Sequence, residues 1–179
     1  MKFKISQLPY IFFLIILLVF FYLLLIERNP SKVPSALLDK NVPIFEAESL
    51  FEDKKFLSSE IFDDQIILVN FFATWCKPCK DEHVYIKSFA NEEKVKVIGI
   101  NYKDNPKLAT EWLKNSGNPY SNIALDKKGK IAIEWGVYGI PETFLVNSKG
   151  VIKYRHVGQI TKKIYKKINQ KISEITLNE

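Results

Sequence analysis

Sulfur is scarce in this 179-residue chain: two cysteines, Cys76 and Cys79, and one methionine. Two cysteines exclude a disulfide framework of the kind that staples small secreted domains. Only His83 and His156 stand beside them, with no second cysteine pair, so a four-ligand zinc site has no natural donor set. The chain also lacks internal repeats, low-complexity tracts, and any arginine-rich or aromatic–basic run suited to nucleic acid. The net charge is +6, of which Lys2, Lys4 and Arg28 against Glu27 supply two; the rest is a modest excess on a lysine-rich surface.

One stretch lacks charge altogether. Tyr10 to Ile26, "YIFFLIILLVFFYLLLI", reaches 19 residues with Leu8 and Pro9. At ~1.5 Å per residue that is roughly 28 Å, about a hydrocarbon core. A secretory signal has a shorter apolar region and ends at small residues; here "ERNPSK" follows. The expectation is an uncleaved anchor within residues 1–28, preceded by a short cytoplasmic tail. Lys2 and Lys4 balance Arg28 and Lys32, so charge sets no orientation; the brief tail is most simply left inside and the large domain exported. Residues 29–41, with Pro30 and Pro34, read as a linker, and residues 42–179 as the exported domain.

Within that domain, "VPIFEAESLF" suggests an edge strand or hairpin, and "LSSEIFDD" a short helical turn capped by Ser58 or Ser59. "IILVNFF" (residues 66–72) is a near-continuous β-rich run, expected of a strand buried on both faces. The cysteines open a helix running to about Ala90. "KVKVIGINY" is a second buried strand. "NPKLATEWLKNSG" is a helix between Pro106 and Gly117, and "KGKIAIEWGV" a shorter one. "ETFLVN", "NSKG" and "VIKYRHVG" form an antiparallel hairpin. Ile164, Ile168, Ile172 and Ile175 make the apolar stripe of a closing amphipathic helix. The order β-α-β-α, then β-β-α, predicts an α/β domain of three layers around a mixed sheet.

Cys76-Lys77-Pro78-Cys79 then admits three readings. Metal lacks ligands. A structural bridge across two residues restrains almost no chain entropy. A redox dithiol fits the context: the first cysteine sits where a helix begins, and free N–H groups and the helix dipole favour a thiolate there. Cys76 is thus the candidate nucleophile, reachable from solvent, and Cys79, one turn in and shielded, the resolving thiol. A peroxidatic cysteine would want Pro and Thr where the chain has Val69 and Ala73.

"LVNFFATWCKPC" resembles the thioredoxin active-site segment, and "GIPETFLV" the proline loop facing it. With "INYKD", "WLKNSGNPY" and "GVYGIPETFLVNSKGVIKYRHVG", the domain from about Val33 to Ile175 resembles the DsbE/CcmG family, membrane-anchored thiol:disulfide oxidoreductases of cytochrome c biogenesis. The resemblance implies a thioredoxin fold and a cis-Pro141 beside the dithiol, with the Ile140 backbone turned toward a substrate strand. It implies active-site roles for Glu82, one turn after Cys79, and for Glu142, either of which could tune the thiols or relay a proton. Thioredoxin carries a buried Asp where this chain has Asn70, which cannot titrate, so Glu82 is the better candidate base. Trp75 is expected to cover the dithiol and Tyr138 to line a substrate groove; His83 is read as a polar helix residue, and His156 receives no role. No cofactor is implied. The implied partners are apocytochrome c, or a maturation protein carrying its electrons, and a transmembrane thiol reductase of the DsbD or CcdA type as donor, with the domain on the periplasmic side of the inner membrane. A general reductase with another client, or a non-catalytic apocytochrome-binding adaptor, are the competing readings.

Overall fold

The computed structural model describes residues 8–25, 37–60, 65–91 and 95–177, in two compact units, Met1–Lys32 and Val33–Glu179. The first contains helix α1 (Leu8–Leu25), 18 residues with no charged side chain, or about 27 Å at 1.5 Å per residue. Among the described residues no helix is long and apolar enough to cross a membrane. The expected transmembrane helix is therefore shown only as a shorter apolar helix, two residues below the ~20 that a hydrocarbon core asks for; Ile26 and the residues that follow to position 36 lie outside the described residues.

The second unit is built on a seven-stranded mixed sheet in the order β2-β1-β5-β4-β3-β6-β7. Its strands are β1 (Glu46–Ser49), β2 (Lys55–Leu57), β3 (Ile66–Phe72), β4 (Val95–Tyr102), β5 (Asn122–Asp126), β6 (Glu142–Val146) and β7 (Ile152–Val157). Its helices are α2 (Lys77–Ala90), α3 (Pro106–Ser116), α4 (Lys130–Glu134) and α5 (Lys162–Leu177). β3, β4 and β5 run parallel through the α2 and α3 crossovers, and β6 returns antiparallel on β3.

Strand β3 is buried along its whole length, and its side-chain alternation feeds two cores. Ile66, Leu68 and Phe72 join Ile86 and Phe89 of α2, Leu113 of α3, and Ile168 and Ile172 of α5. Ile67, Val69 and Phe71 join Ile131, Ala132 and Trp135 at α4, with Phe144 and Ile152 of the hairpin. This is the predicted three-layer arrangement, and the isoleucine stripe of α5 is core packing as expected, with Ile164 and Ile175 partly buried on the same cluster.

Several local expectations change. Strand β5 has no counterpart in the sequence pattern; it pairs β4 in parallel and β1 in antiparallel register, so the weak alternation of "FEAES" resolves as one strand of a hairpin with β2 inside a continuous sheet. Ser58 lies in a single 3-10 turn, Ser58–Glu60, and its hydroxyl accepts from the Phe45 N–H (2.9 Å) rather than capping a helix; residues 61–64 of that expectation lie outside the described residues. Asp39 N donates to Ile152 O and Val42 N to Gly150 O, so Leu37–Asn41, expected in the linker, includes backbone tied to the folded unit. Helix α3 starts as predicted, with Pro106 in its first turn and the Asn105 side chain accepting from Lys107 N, and Gly117 follows its end at φ 86°. α4 spans only five residues, and its first N–H groups are met from outside by the Asp126 carboxylate, at Ile131 N and Ala132 N.

Candidate active site

Strand β3 delivers the chain to the sheet's C-terminal end, and Ala73–Trp75 turns it into α2. Cys76 occupies the helix N-cap with extended backbone (φ −87°, ψ 103°), its Sγ accepting from Cys79 N at 3.2 Å. That is the hydrogen bond a thiolate would receive. Pro78 falls in the first turn, where a missing N–H costs nothing. The two cysteines are joined, S–S 2.01 Å and Cα–Cα 5.3 Å. Cys76 is 4 % and Cys79 3 % exposed. The expected contrast between an open Cys76 and a shielded Cys79 is thus absent in the oxidised protein, because both sulfurs belong to the apolar cluster against which Ile140 packs.

Below the disulfide lies a buried carboxylate. Glu82, fully buried, sits one helical turn after Cys79. Its Oε1 accepts from Asn70 Nδ2 (2.9 Å) and its Oε2 from Ile160 N (2.7 Å). Burial pushes its pKa up to about 7, outweighing those two donors. Asn70 is itself held: its Nδ2 also donates to Thr143 Oγ1 (3.1 Å), and its Oδ1 accepts from Tyr120 OH (2.8 Å). Burial, then the nearby Glu82 charge, raise the Tyr120 pKa well above the usual phenol value, so that hydroxyl stays protonated and donates.

The Ile140–Pro141 bond is cis, as expected. Glu142 begins β6 and is fully buried. Its Oε1 accepts from Tyr138 N (2.9 Å), and its Oε2 receives Arg155 Nε (2.8 Å) and the second guanidinium nitrogen (2.7 Å). Arg155 also donates to Gly136 O and lies 4.7 Å from the centre of the Tyr138 ring. Both oxygens of the Glu142 carboxylate are therefore committed to holding the 136–140 loop. Tyr138 is presented outward, 70 % exposed.

Trp75 is 60 % exposed. Its indole N–H donates to Lys103 O (3.1 Å), and its ring lies 6.4 Å from that of Tyr102. These contacts hold the indole at the β4–α3 corner, where it lines a groove of about 540 Å³ with Lys80, Leu108 and Trp112. His83 corrects the reading of a polar helix residue. It is buried, with Nε2 bonded to Gly117 O (2.9 Å) and its ring 4.5 Å from that of Trp112, and burial lowers its pKa. His156 is likewise buried, bonded to Gln159 O. Among the described residues no cluster of three His, Cys, Asp or Glu could hold a metal ion.

Residues 38–171 match the redoxin family model. The chain is 46 % identical over 132 residues to the thiol:disulfide interchange protein DsbE of Vibrio cholerae, covering 74 % of this chain and 71 % of that one. It is 36 % identical over 171 residues to DsbE of Escherichia coli, covering 92 % and 91 %. The chain belongs to the DsbE family. Among solved structures, a DsbF homologue of Corynebacterium diphtheriae superimposes with a TM-score of 0.67 at 21 % identity, covering 80 % of this chain and 96 % of that one. StoA of Bacillus subtilis gives 0.57 at 24 %, covering 72 % and 96 %. At those identities the likeness is one of fold.

With the DsbE dithiol in place, the protein is a thiol:disulfide oxidoreductase of thioredoxin-like α/β fold. Its sequence brings Cys76, Cys79, Glu82 and Pro141 forward but leaves four supporting residues unsignalled. Arg155, partner of Glu142, is set by the β6–β7 register, in which it faces Phe144. Tyr120 and Thr143 hold Asn70 from elements 50 and 73 residues away. Asp104, in the segment "INYKD", grips the turn before Cys76; only the length of the β4 strand, which ends two residues earlier, hints at a corner there.

Proposed function

We propose that this DsbE-family protein is a membrane-anchored reductase of protein disulfides outside the cytoplasm. In this reading residues 1–28 are a short cytoplasmic tail and an anchor containing α1, the next residues a tether, and the domain faces the periplasm. Cys76 thiolate attacks a client disulfide; a mixed disulfide forms and one client sulfur leaves as thiolate. Cys79 gives its proton to Glu82, its sulfur attacks Cys76 Sγ, and the second client thiolate is released. The client gains two electrons and the enzyme is left as the Cys76–Cys79 disulfide. A thiol reductase of the membrane, of the DsbD or CcdA type, restores the dithiol. The client is the haem-attachment cysteine pair of apocytochrome c, or a maturation protein that carries its electrons. Trp75, Tyr138, Ile140 and Pro141 form the client-facing rim, and Glu142 acts behind it by fixing the Tyr138 backbone.

The observation supporting this reading most is Glu82: a carboxyl held near neutrality by burial, one turn from the resolving cysteine, suits a proton acceptor at working pH. The test is trapping. Full-length Cys79→Ser, produced in a cell that makes c-type cytochromes, should accumulate mixed disulfides through Cys76 with an apocytochrome or a haem-ligation thiol protein. Capture of unrelated clients would replace the proposed substrate with a general one; no capture beyond that of Cys76→Ser would remove the nucleophile assignment.

A further inference from the structure

The turn that presents Cys76 is held from a single carboxylate. Asp104 Oδ2 accepts from Thr74 N (2.6 Å) and from Asn101 Nδ2 (2.9 Å); Oδ1 accepts from Thr74 Oγ1 (2.7 Å) and from Asn105 N (2.8 Å). Each oxygen thus takes two donors, and every partner of the group is a donor, which fills a carboxylate's acceptor sites. The adjoining Lys103 sits in the left-handed region (φ 43°), uncommon for a residue with a side chain. Its carbonyl receives the Trp75 indole N–H. Three bonds therefore run from this corner to the two residues immediately preceding Cys76. Two come from Thr74 and one from Trp75.

We infer that Asp104 is a positioning residue for the reaction: it pins Thr74, and through it holds Cys76 at the N-cap of α2, where the sulfur receives the Cys79 N–H. Released from that pin, Cys76 drifts off the cap. A thiolate that loses a donor and the helix N-terminus becomes harder to form. In Asp104→Asn the amide N–H₂ meets a backbone N–H, that of Thr74 or of Asn105, neither of which can accept, and the bonds that remain go to a neutral oxygen, so the grip on the turn is weakened although shape is kept. Thr74→Val removes only the hydroxyl bond, and Thr74→Ser restores it.

The experiment measures alkylation of the reduced full-length protein by iodoacetamide against pH, with the modified sulfur mapped. For Asp104→Asn the midpoint of Cys76 alkylation should move up by about half to one pH unit, which at fixed pH below the midpoint is a roughly three- to tenfold slower rate. Thr74→Val should move it in the same direction by less, and Thr74→Ser should return it. Ile152→Ala, fully buried and in the other core, should lower the melting temperature yet leave the midpoint alone, separating positioning from general softening. An unchanged midpoint in folded Asp104→Asn overturns the inference; should that variant fail to fold, an unchanged midpoint in Thr74→Val does so instead. The inference rests on Cys76 being the attacking thiol, and mapping tests that independently: modification at Cys79 in the unaltered protein defeats the mechanism rather than the pin.

Discussion

Glu82→Gln should remove the loss of stability that the oxidised protein undergoes as pH rises through neutrality. The native carboxyl is held near 7 by burial, against 4.5 ordinarily. Between those values the unfolded chain has released this proton while the folded chain keeps it. The folded state therefore binds more protons, and stability falls as pH rises from about 4.5 through about 7. The gap of about 2.5 units, at ~1.36 kcal/mol each, sets a total of roughly 3 kcal/mol. About 2.5 kcal/mol of it falls between pH 5 and pH 8, since part is already lost by pH 5. Glutamine has no proton to lose, but both Glu82 oxygens accept N–H donors, from Asn70 and Ile160, so its N–H₂ faces one of them and costs about 1–3 kcal/mol at every pH. That offset is constant; on top of it the variant should gain about 2.5 kcal/mol on the unaltered protein between pH 5 and pH 8.

The assay is urea unfolding across pH with the Cys76–Cys79 disulfide intact, so that neither cysteine titrates. His83 and His156, whose pKa values burial lowers, contribute equally to both proteins and cancel in the difference. The same variant, reduced, should lose the limb of its exchange-rate profile near pH 7 and slow on the order of 10²-fold, the scale of one general acid–base group. Parallel stability curves for the unaltered protein and the Glu82→Gln variant would refute the reasoning, because a carboxyl that does not hold its proton in the folded state cannot be the poised acceptor.

Two further perturbations probe the frame around the site. Arg155→Ala leaves Glu142 fully buried without its ion-pair partner; removing one member of such a pair costs about 3–5 kcal/mol, measurable as a lower urea midpoint and as earlier proteolysis in the 136–140 loop, and a loss below about 1 kcal/mol would mean the pair is not the brace of that loop. Gly99→Ala places a methyl 2.8 Å from Phe72 Cε1 and 3.0 Å from the Tyr120 ring. Those rings are stacked at 4.8 Å, so overpacking should cost about 1–3 kcal/mol; the shift of Tyr120 should also move the Glu82 titration, seen as a displaced stability–pH curve.

Elements with a dense local signal were legible in the sequence. β3 announces itself as seven residues fit for burial on two faces, α5 as an isoleucine stripe, and α2 by a cysteine cap and Pro78. β5 has no such signal: five residues, two of them polar, become a strand only because β4 and β1 flank it. In the site, spacing along one helix revealed Glu82 beside Cys79. His83, four residues after Cys79, read only as a polar helix residue because the end of α3 that covers it is 34 residues away. Glu142 could be placed at the site by pattern, but its role behind the rim follows from Arg155, which only the hairpin register brings to it.

The same contrast bears on Glu82 as the proposed proton acceptor. A strand Asp at position 70, as in thioredoxin, would place two carboxylates within 2.9 Å of each other at Glu82, and like charges at that distance cannot both ionise cheaply. With Asn70, the strand supplies donors instead. Tyr120 satisfies the amide oxygen, which turns the amide N–H₂ toward Glu82 and Thr143. The buried carboxylate is thus stabilised when ionised without a second titrating group to share its proton. Burial raises its affinity for that proton, the Asn70 and Ile160 donors lower it, and the balance falls near 7. Because Glu82 and Cys79 ride on the same helix, the proposed acceptor and resolving thiol keep their one-turn spacing whatever the strand does. In the proposed mechanism the pH at which Glu82 can take a proton is thus set first by its burial and then trimmed by the Ile160 and Asn70 donors.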